Sequence, residues 1–395
     1  MSITSSITSN IISNVTSSIV AGVGDPDAGK FISTWKTDNA GTSNNDQVSL
    51  PLESVGTYDF TVDWGDGTSD TITVWNQAET THTYSVAGTY TINITGQCEG
   101  WGFNNGGDKS KLLEVKNWGT SFRLGNSNSY FFGCNNLTIT ATDILNFSGT
   151  IDCFQAFRAC ASIINIPNIN NWNVSSVTDM NSMFRLCTNF ASDVSGWDVS
   201  SVTDMNNMFR ACPNFTSAVN NWDVSSVTDM RSAFNGCTNF ASDVSGWNVS
   251  SVTDMNSMFR LCTNFASDVS GWDVSNVTDM NSMFRACPNF TSAVNNWDVS
   301  NVTDMNSMFR SCTNFASDIS GWDVSNVTDM TNLLNGTSFS QTNYDLLLVA
   351  WEAQLVQNNV PFHAGAAKYG AGAPATARAA LIADHNWTIT DGGPA

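Results

Sequence analysis

Seven tryptophans recur at a strict interval of 25 residues, at Trp172, Trp197, Trp222, Trp247, Trp272, Trp297 and Trp322. A period of this length confines the chain to a stack of like units. One unit cannot bury its own large apolar side chains, whereas neighbours in a stack bury them for one another. Met180, Met205, Met230, Met255, Met280, Met305 and Met330 keep the same register, as do the columns Phe184 to Phe309, Cys187 to Cys312 and Phe190 to Phe315.

Within the unit Trp172 to Gly196, Met180, Met183, Phe184 and Cys187 stand at i, i+3, i+4 and i+7, which predicts one face of a short helix. Thr178 or Asp179 is placed to cap it. Phe190 to Val199 carries extended-type spacing interrupted by Ser195 and Gly196. The segment after cysteine alternates between T-N-F-A-S (Cys187, Cys237, Cys262, Cys312) and P-N-F-T-S (Cys212, Cys287). That order suggests the duplication of a 75-residue block. Near-identical units suit an array whose length matters and suit an active site badly, since a site needs unique residues.

The polar columns carry the candidate chemistry. Arg185, Arg210, Arg260, Arg285 and Arg310 form one column, with Asn at 235. Stacked like charges repel, so we expect either pairing with the aspartate columns or a basic stripe for an acidic glycan or protein ligand. Asp179, Asp204, Asp229, Asp254, Asp279, Asp304 and Asp329 form a second column, and Asp198, Asp223, Asp273, Asp298 and Asp323 a third. Such carboxylates cap and close turns, or hold Ca²⁺. Asn189, Asn214, Asn239, Asn264, Asn289 and Asn314 are expected to bond the backbone between units. Cys160, Cys187, Cys212, Cys237, Cys262, Cys287 and Cys312 lie on the Met and Phe face, which predicts buried, reduced thiols acting as small hydrophobes.

Composition closes several classes. The formal net charge is -20, which disfavours nucleic acid and anionic lipid as partners. No apolar run reaches the ~18 residues of a membrane span. Charged residues make up only 13%, below the roughly 25% of an average domain, and Ser, Thr and Asn fill the difference. Gly24 to Lys30 imitates a phosphate-binding loop, but Phe31 follows in place of the Ser or Thr that would hold Mg²⁺, so a linker is expected. There is no C-x-x-C, and His82, His363 and His385 lie away from the repeat. No enzyme activity, metal or cofactor is expected.

At the N-terminus, Ile3, Ile7, Ile11, Val15, Ile19 and Val23 recur every four residues among Ser, Thr and Asn. The pattern gives a slowly drifting helical stripe without the basic start and solid apolar core of a secretion signal. It reads as a docking segment that folds against a scaffold protein or against other copies of itself.

The motif W-D-V-S-x-V-T-x-M-x-x-M-F-x-x-C resembles the BspA-like branch of the leucine-rich repeat family. Ala156, Phe157, Cys160, Ile163, Ile166 and Pro167 resemble its older A-F-x-x-C form, and Phe131 with Cys134 a more degraded coil. The resemblance implies an α/β solenoid of leucine-rich-repeat type, about nine coils from residue 125 to 335, roughly 40 Å long at sheet spacing. A cap of two helices and a strand would follow over 336–395. Tyr58 to Thr68 (Y-D-F-T-V-D-W-G-D-G-T), Thr81 to Tyr84 and Gly88 to Ile92 resemble a polycystic-kidney-disease-type (PKD) domain. This implies a small all-β, Ig-like sandwich over 30–97, after a docking segment over 1–29 and before a connector over 98–124.

These readings imply a surface-exposed recognition or adhesion protein with a protein or glycan receptor on the solenoid. A phage virion component (fibre, decoration or receptor-binding protein, on the virion surface) is the first expectation. A secreted or cell-surface bacterial adhesin is the alternative. The absence of a signal-like start and of a sorting tail after the cap favours the first.

Overall fold

The computed structural model describes residues 26–395. The docking stripe from Ile3 to Val23 lies outside the described residues.

The chain opens with β1 (Lys30–Lys36), β2 (Gln47–Ser49), β3 (Leu52–Asp63), β4 (Ser69–Ile72), β5 (Thr81–Thr83) and β6 (Thr89–Trp101). Phe31, Ser33 and Trp35 of β1 and Tyr58, Phe60 and Val62 of β3 alternate inward, as half-buried strands require. The Asp66-Gly67 turn joins β3 to β4, with the Thr68 amide donating to Asp66 Oδ1 at 3.0 Å. β2 and β5 pair as a separate two-stranded sheet.

The main sheet continues with β7 (Leu112–Asn117), β8 (Phe122–Arg123) and β9 (Thr138–Ile139). Its order is β4-β3-β6-β1-β7-β9, with β8 paired to β6. The expected break at 97/98 is therefore not present. β6 runs through it, with Cys98 and Trp101 fully buried, and β7 pairs antiparallel with β1. Within 98–124, the end of β6, β7 and β8 belong to the sheet, with turns and loops over 102–111 and 118–121 between them. Two register shifts between β1 and β7 break the alternation that would have marked it.

β8 and β9 add in parallel to β6 and β7 and start the coils on the sheet. The core passes without interruption from one to the other. Phe31 stacks on Phe122 with centroids 4.1 Å apart, Trp118 meets Trp172 edge-on at 6.2 Å, and Phe131 stacks on Phe157 at 5.3 Å.

From there, parallel bridges link Asp152 to Asp179, Asp179 to Asp204, and so on to Asp329, one per coil. The Thr203 amide donates to the Thr178 carbonyl at 2.9 Å, and the Met205 amide to the Asp229 carbonyl at 3.0 Å; equivalent residues repeat this along the stack. Trp, Val, Met, Phe and Cys of every coil are buried.

The short helix expected at Met180–Cys187 is not formed. Ser182 has φ 58° and Leu186 φ 66°, and the equivalent residues of later coils repeat these left-handed values, up to Ser307 and Ser311. Two left-handed residues within five cannot belong to a right-handed helix. Consecutive turns place Met, Phe and Cys inward instead. The i, i+3, i+4, i+7 pattern is satisfied by these turns because each turn also returns the chain to one side.

After the last coil come α1 (Gln341–Glu352), β10 (Pro361–His363), α2 (Ala373–His385) and β11 (Thr388–Thr390). Ser340 caps α1, its side chain accepting from the Asn343 amide at 3.1 Å. The Gln354 side chain accepts from the Val324 amide and donates to the Trp322 carbonyl, both at 2.8 Å, satisfying backbone groups the last coil leaves open. No helix among the described residues is long and apolar enough to cross a membrane.

Candidate ligand-binding face

Each coil places one residue in the arginine column by a backbone bond to the coil before it. The Leu186 amide donates to the Arg210 carbonyl at 2.9 Å, Gly236 to Arg260, Leu261 to Arg285 and Ala286 to Arg310, each at 2.8 Å. Ala159 bonds Arg185 and Gly133 bonds Arg158 in the same way. The column therefore reads Phe132, Arg158, Arg185, Arg210, Asn235, Arg260, Arg285, Arg310, Asn335. Arg158 was not among the residues singled out in the sequence, although its place directly after Phe157 is the signal that finds it. Its guanidinium lies over the Phe132 ring at 4.6 Å.

The expected pairing of this column with the aspartates does not occur. Among the described residues, no arginine of the column makes an ion pair; the ion-paired arginines are Arg123, Arg231 and Arg378. Arg210 Nη1 donates to Asn207 Oδ1 at 3.2 Å, a neutral partner. The Nε groups of Arg158, Arg185 and Arg260 are buried with no acceptor. Burial, and after it the neighbouring arginines, pull the pKa of Arg158, Arg185 and Arg285 below the usual guanidinium value. These are half-buried like charges with no carboxylate beside them. In the coil where position 235 carries Asn, the arginine sits four residues earlier: Arg231 pairs with Asp254 at 2.8 Å and Asp229 at 3.6 Å.

The aspartate columns are occupied locally. Asp179 Oδ1 accepts from the Asn181 amide at 2.7 Å, and Asn181 reaches across to Asp204 Oδ2 at 3.3 Å; Asn206, Asn256, Asn281 and Asn306 reach across likewise. Burial, then the carboxylates of Asp204 and Asp152, push Asp179 up to about 6, and burial raises Asp229 and Asp279 as well. The exposed column closes turns: Asp198 Oδ1 accepts from the Ser200 amide and hydroxyl, and Asp273 does the same for Ser275. Among the described residues no three His, Cys, Asp or Glu side chains are grouped to hold a metal ion.

Other columns are internal fastenings. Each indole from Trp197 to Trp322 donates to a backbone carbonyl of the preceding coil, as Trp272 does to Val244 at 3.0 Å. All ten cysteines are free and buried, and each thiol from Cys160 to Cys312 donates to a phenylalanine carbonyl of the preceding coil, Cys212 to Phe184 at 3.0 Å. Asn189, Asn214 and Asn289 bond carbonyls of the preceding coil through their side chains.

Coils with this motif, stacked in this register, define a protein of BspA-like 25-residue repeats. The model of the DUF285 family, described as a Mycoplasma protein of unknown function, matches residues 151–272 and 253–369, together more than half of the chain. The chain belongs to the DUF285 family. No curated protein and no solved structure matches it.

Proposed function

We propose that this chain is a non-enzymatic, surface-exposed recognition protein. In this reading the coils form a leucine-rich-repeat-type solenoid that offers the polar columns to a protein or glycan receptor, and the leading sheet is a PKD-like spacer. Membership of a repeat family is in keeping with a surface repeat protein. The observation that carries the reading is the arginine column. The tryptophan and cysteine columns and the aspartates described above are engaged within the stack, whereas these charges have no carboxylate beside them in a chain of net charge -20.

The proposed setting is a phage particle, where the protein is a fibre, decoration or receptor-binding component held by a scaffold protein at its N-terminus. Ten free, buried thiols support this, because the components of a phage particle fold in a reducing compartment. The second reading is a bacterial surface adhesin, favoured by the bacterial name that the family description carries. Mass spectrometry of purified particles and of a cell-envelope fraction tests the choice. Recovery in particles is expected; recovery only in the envelope overturns the virion reading in favour of the adhesin.

A further inference from the structure

The arginine column is not continuous. It consists of two sets of three, Arg158-Arg185-Arg210 and Arg260-Arg285-Arg310, separated by Asn235 and bounded by Phe132 and Asn335. Asn235 is 7% exposed, and the one arginine of that coil, Arg231, is ion-paired, so the column itself carries no charge between the two sets. Their electrostatic neighbours divide in the same way: Arg185 feels Arg158 and Arg210, and Arg285 feels Arg260 and Arg310.

Within a set the spacing of the backbone is fixed by bonds of 2.8–2.9 Å between coils, so the arginine Cα positions follow one another at about the 4.8 Å of a sheet. Three guanidinium groups held in file without counter-charge raise the free energy of the unliganded protein. An anion series of matching pitch removes that cost at the half-exposed guanidinium groups, while the Nε atoms of Arg158, Arg185 and Arg260 stay buried behind them. Arginine suits carboxylates in this role, since its planar fork binds both oxygens.

We propose that each triad is a subsite for three consecutive charged sugars of a linear polyuronate, a glycan with one carboxylate per residue. An extended pyranose chain advances per sugar by close to one coil rise, so each triad spans about three sugars. The exposed large apolar side chains among the coils are all aliphatic (Ile144, Ile151, Ile164, Leu186 and Leu261). That suits the flank of a sugar chain and offers no stacking platform for nucleic-acid bases. The net charge of -20 also opposes a duplex or single strand, whose phosphates cover the whole ligand. This inference rests on the recognition reading above and names its ligand.

The test uses the full chain and polygalacturonate oligomers of three and eight sugars, with a neutral glucan and an eight-nucleotide oligo-dT as comparisons. The wild-type protein is expected to bind both uronate oligomers, more weakly as salt rises, and the glucan not at all. Arg158→Gln/Arg185→Gln/Arg210→Gln together with Arg260→Gln/Arg285→Gln/Arg310→Gln is expected to lose at least tenfold in affinity for both while its melting temperature stays level or rises. Asn235→Arg joins the triads into one column of seven and is expected to strengthen binding of the eight-sugar oligomer several-fold without changing the three-sugar one. Absence of uronate binding, equal binding of oligo-dT, or a sextuple variant that binds as wild type overturns the proposal. If wild-type protein attaches to cells or particles yet binds no uronate, the ligand assignment falls and the recognition reading stands. Uronate binding by a protein found on no surface sinks the recognition reading alone.

Discussion

The indole Nε1 of Trp247 donates to the Val219 carbonyl, 3.0 Å away in the preceding coil, while its ring stacks on Trp272 of the next at 6.4 Å. One side chain thus joins three coils. Trp247→Phe removes one of the two donors to the Val219 carbonyl, which the Trp222 amide also reaches at 3.1 Å, and opens a small void, a cost of about 2 kcal/mol. The first tryptophan of the series is a control, because Trp172 Nε1 is buried with no acceptor. Trp172→Phe is expected to cost about 1 kcal/mol or less, since it also removes an unmet donor. Urea denaturation followed by circular dichroism reads both; equal losses would show that the indole bond adds nothing.

The thiols of the Cys column should be inert in the folded protein. Burial pushes Cys187 and Cys312 up to about 12 and raises the remaining cysteines further, so almost no thiolate exists at pH 8. A thiol-reactive chromophore is expected to label none of the ten cysteines under native conditions and all of them in guanidinium. Rapid native labelling of the column would contradict the packing described for it.

How far the sequence disclosed this arrangement depends on the kind of constraint. Burial of Trp, Met, Phe and Cys was legible because each recurs at a fixed position, and only a stack in register makes that useful. The turns at Ser182 and Leu186 were not legible. Leu, Ala, Ser and Gly share the second left-handed position across coils, so no glycine rule marks it. The freedom of the arginines from aspartate was equally hidden. Both columns recur every 25 residues, and periodicity says nothing of the lateral distance between two columns. Asn235 was visible as an exception, but its meaning needed Arg158, which the 27-residue step to Arg185 moves off the main register.

Lys111 and Asp108 form a fully buried pair 3.8 Å apart that fastens the loop before β2 to the turn before β7. Lys111 Nζ donates to the carbonyls of Ser43, Asn44 and Gln47 and to the Ser43 hydroxyl, at 2.7–3.2 Å. Asp108 accepts from the amides of Thr42, Ser43 and Ser49. Burial pulls the ammonium pKa down, opposed by the Asp108 and Asp46 carboxylates. Lys111→Met strands a buried carboxylate and is expected to destabilise by about 3–5 kcal/mol. Lys111→Met/Asp108→Asn should recover at least 1 kcal/mol of that, a coupling read from the double-mutant cycle in urea. Additive losses would mean the two groups act separately.

The raised carboxylates of the Asp179 column give stability an unusual pH dependence. A folded-state value of about 6 for Asp179, against an ordinary 3.8, means the folded chain holds a proton that the unfolded chain has released between these limits. The contribution is fully present below 3.8 and is lost as pH rises through 6. The turn-closing aspartates act in the opposite sense: hydrogen bonds from neighbouring serines hold Asp193, Asp268 and Asp273 below the usual range, so their contribution is present above 3.8 and lost as pH falls below it. The melting temperature should therefore pass through a maximum near pH 4, higher than at pH 7.5. Asp179→Asn isolates the first effect, since the amide oxygen can still accept from the Asn181 amide. After allowance for solvent screening of this half-buried group, the variant is expected to gain about 1 kcal/mol at pH 7.5 and nothing at pH 4. Thermal melts across that range check it. A variant that loses stability at pH 7.5 would mean that the Asp179 charge is favoured in the stack, and the like-charge account of the column would be wrong.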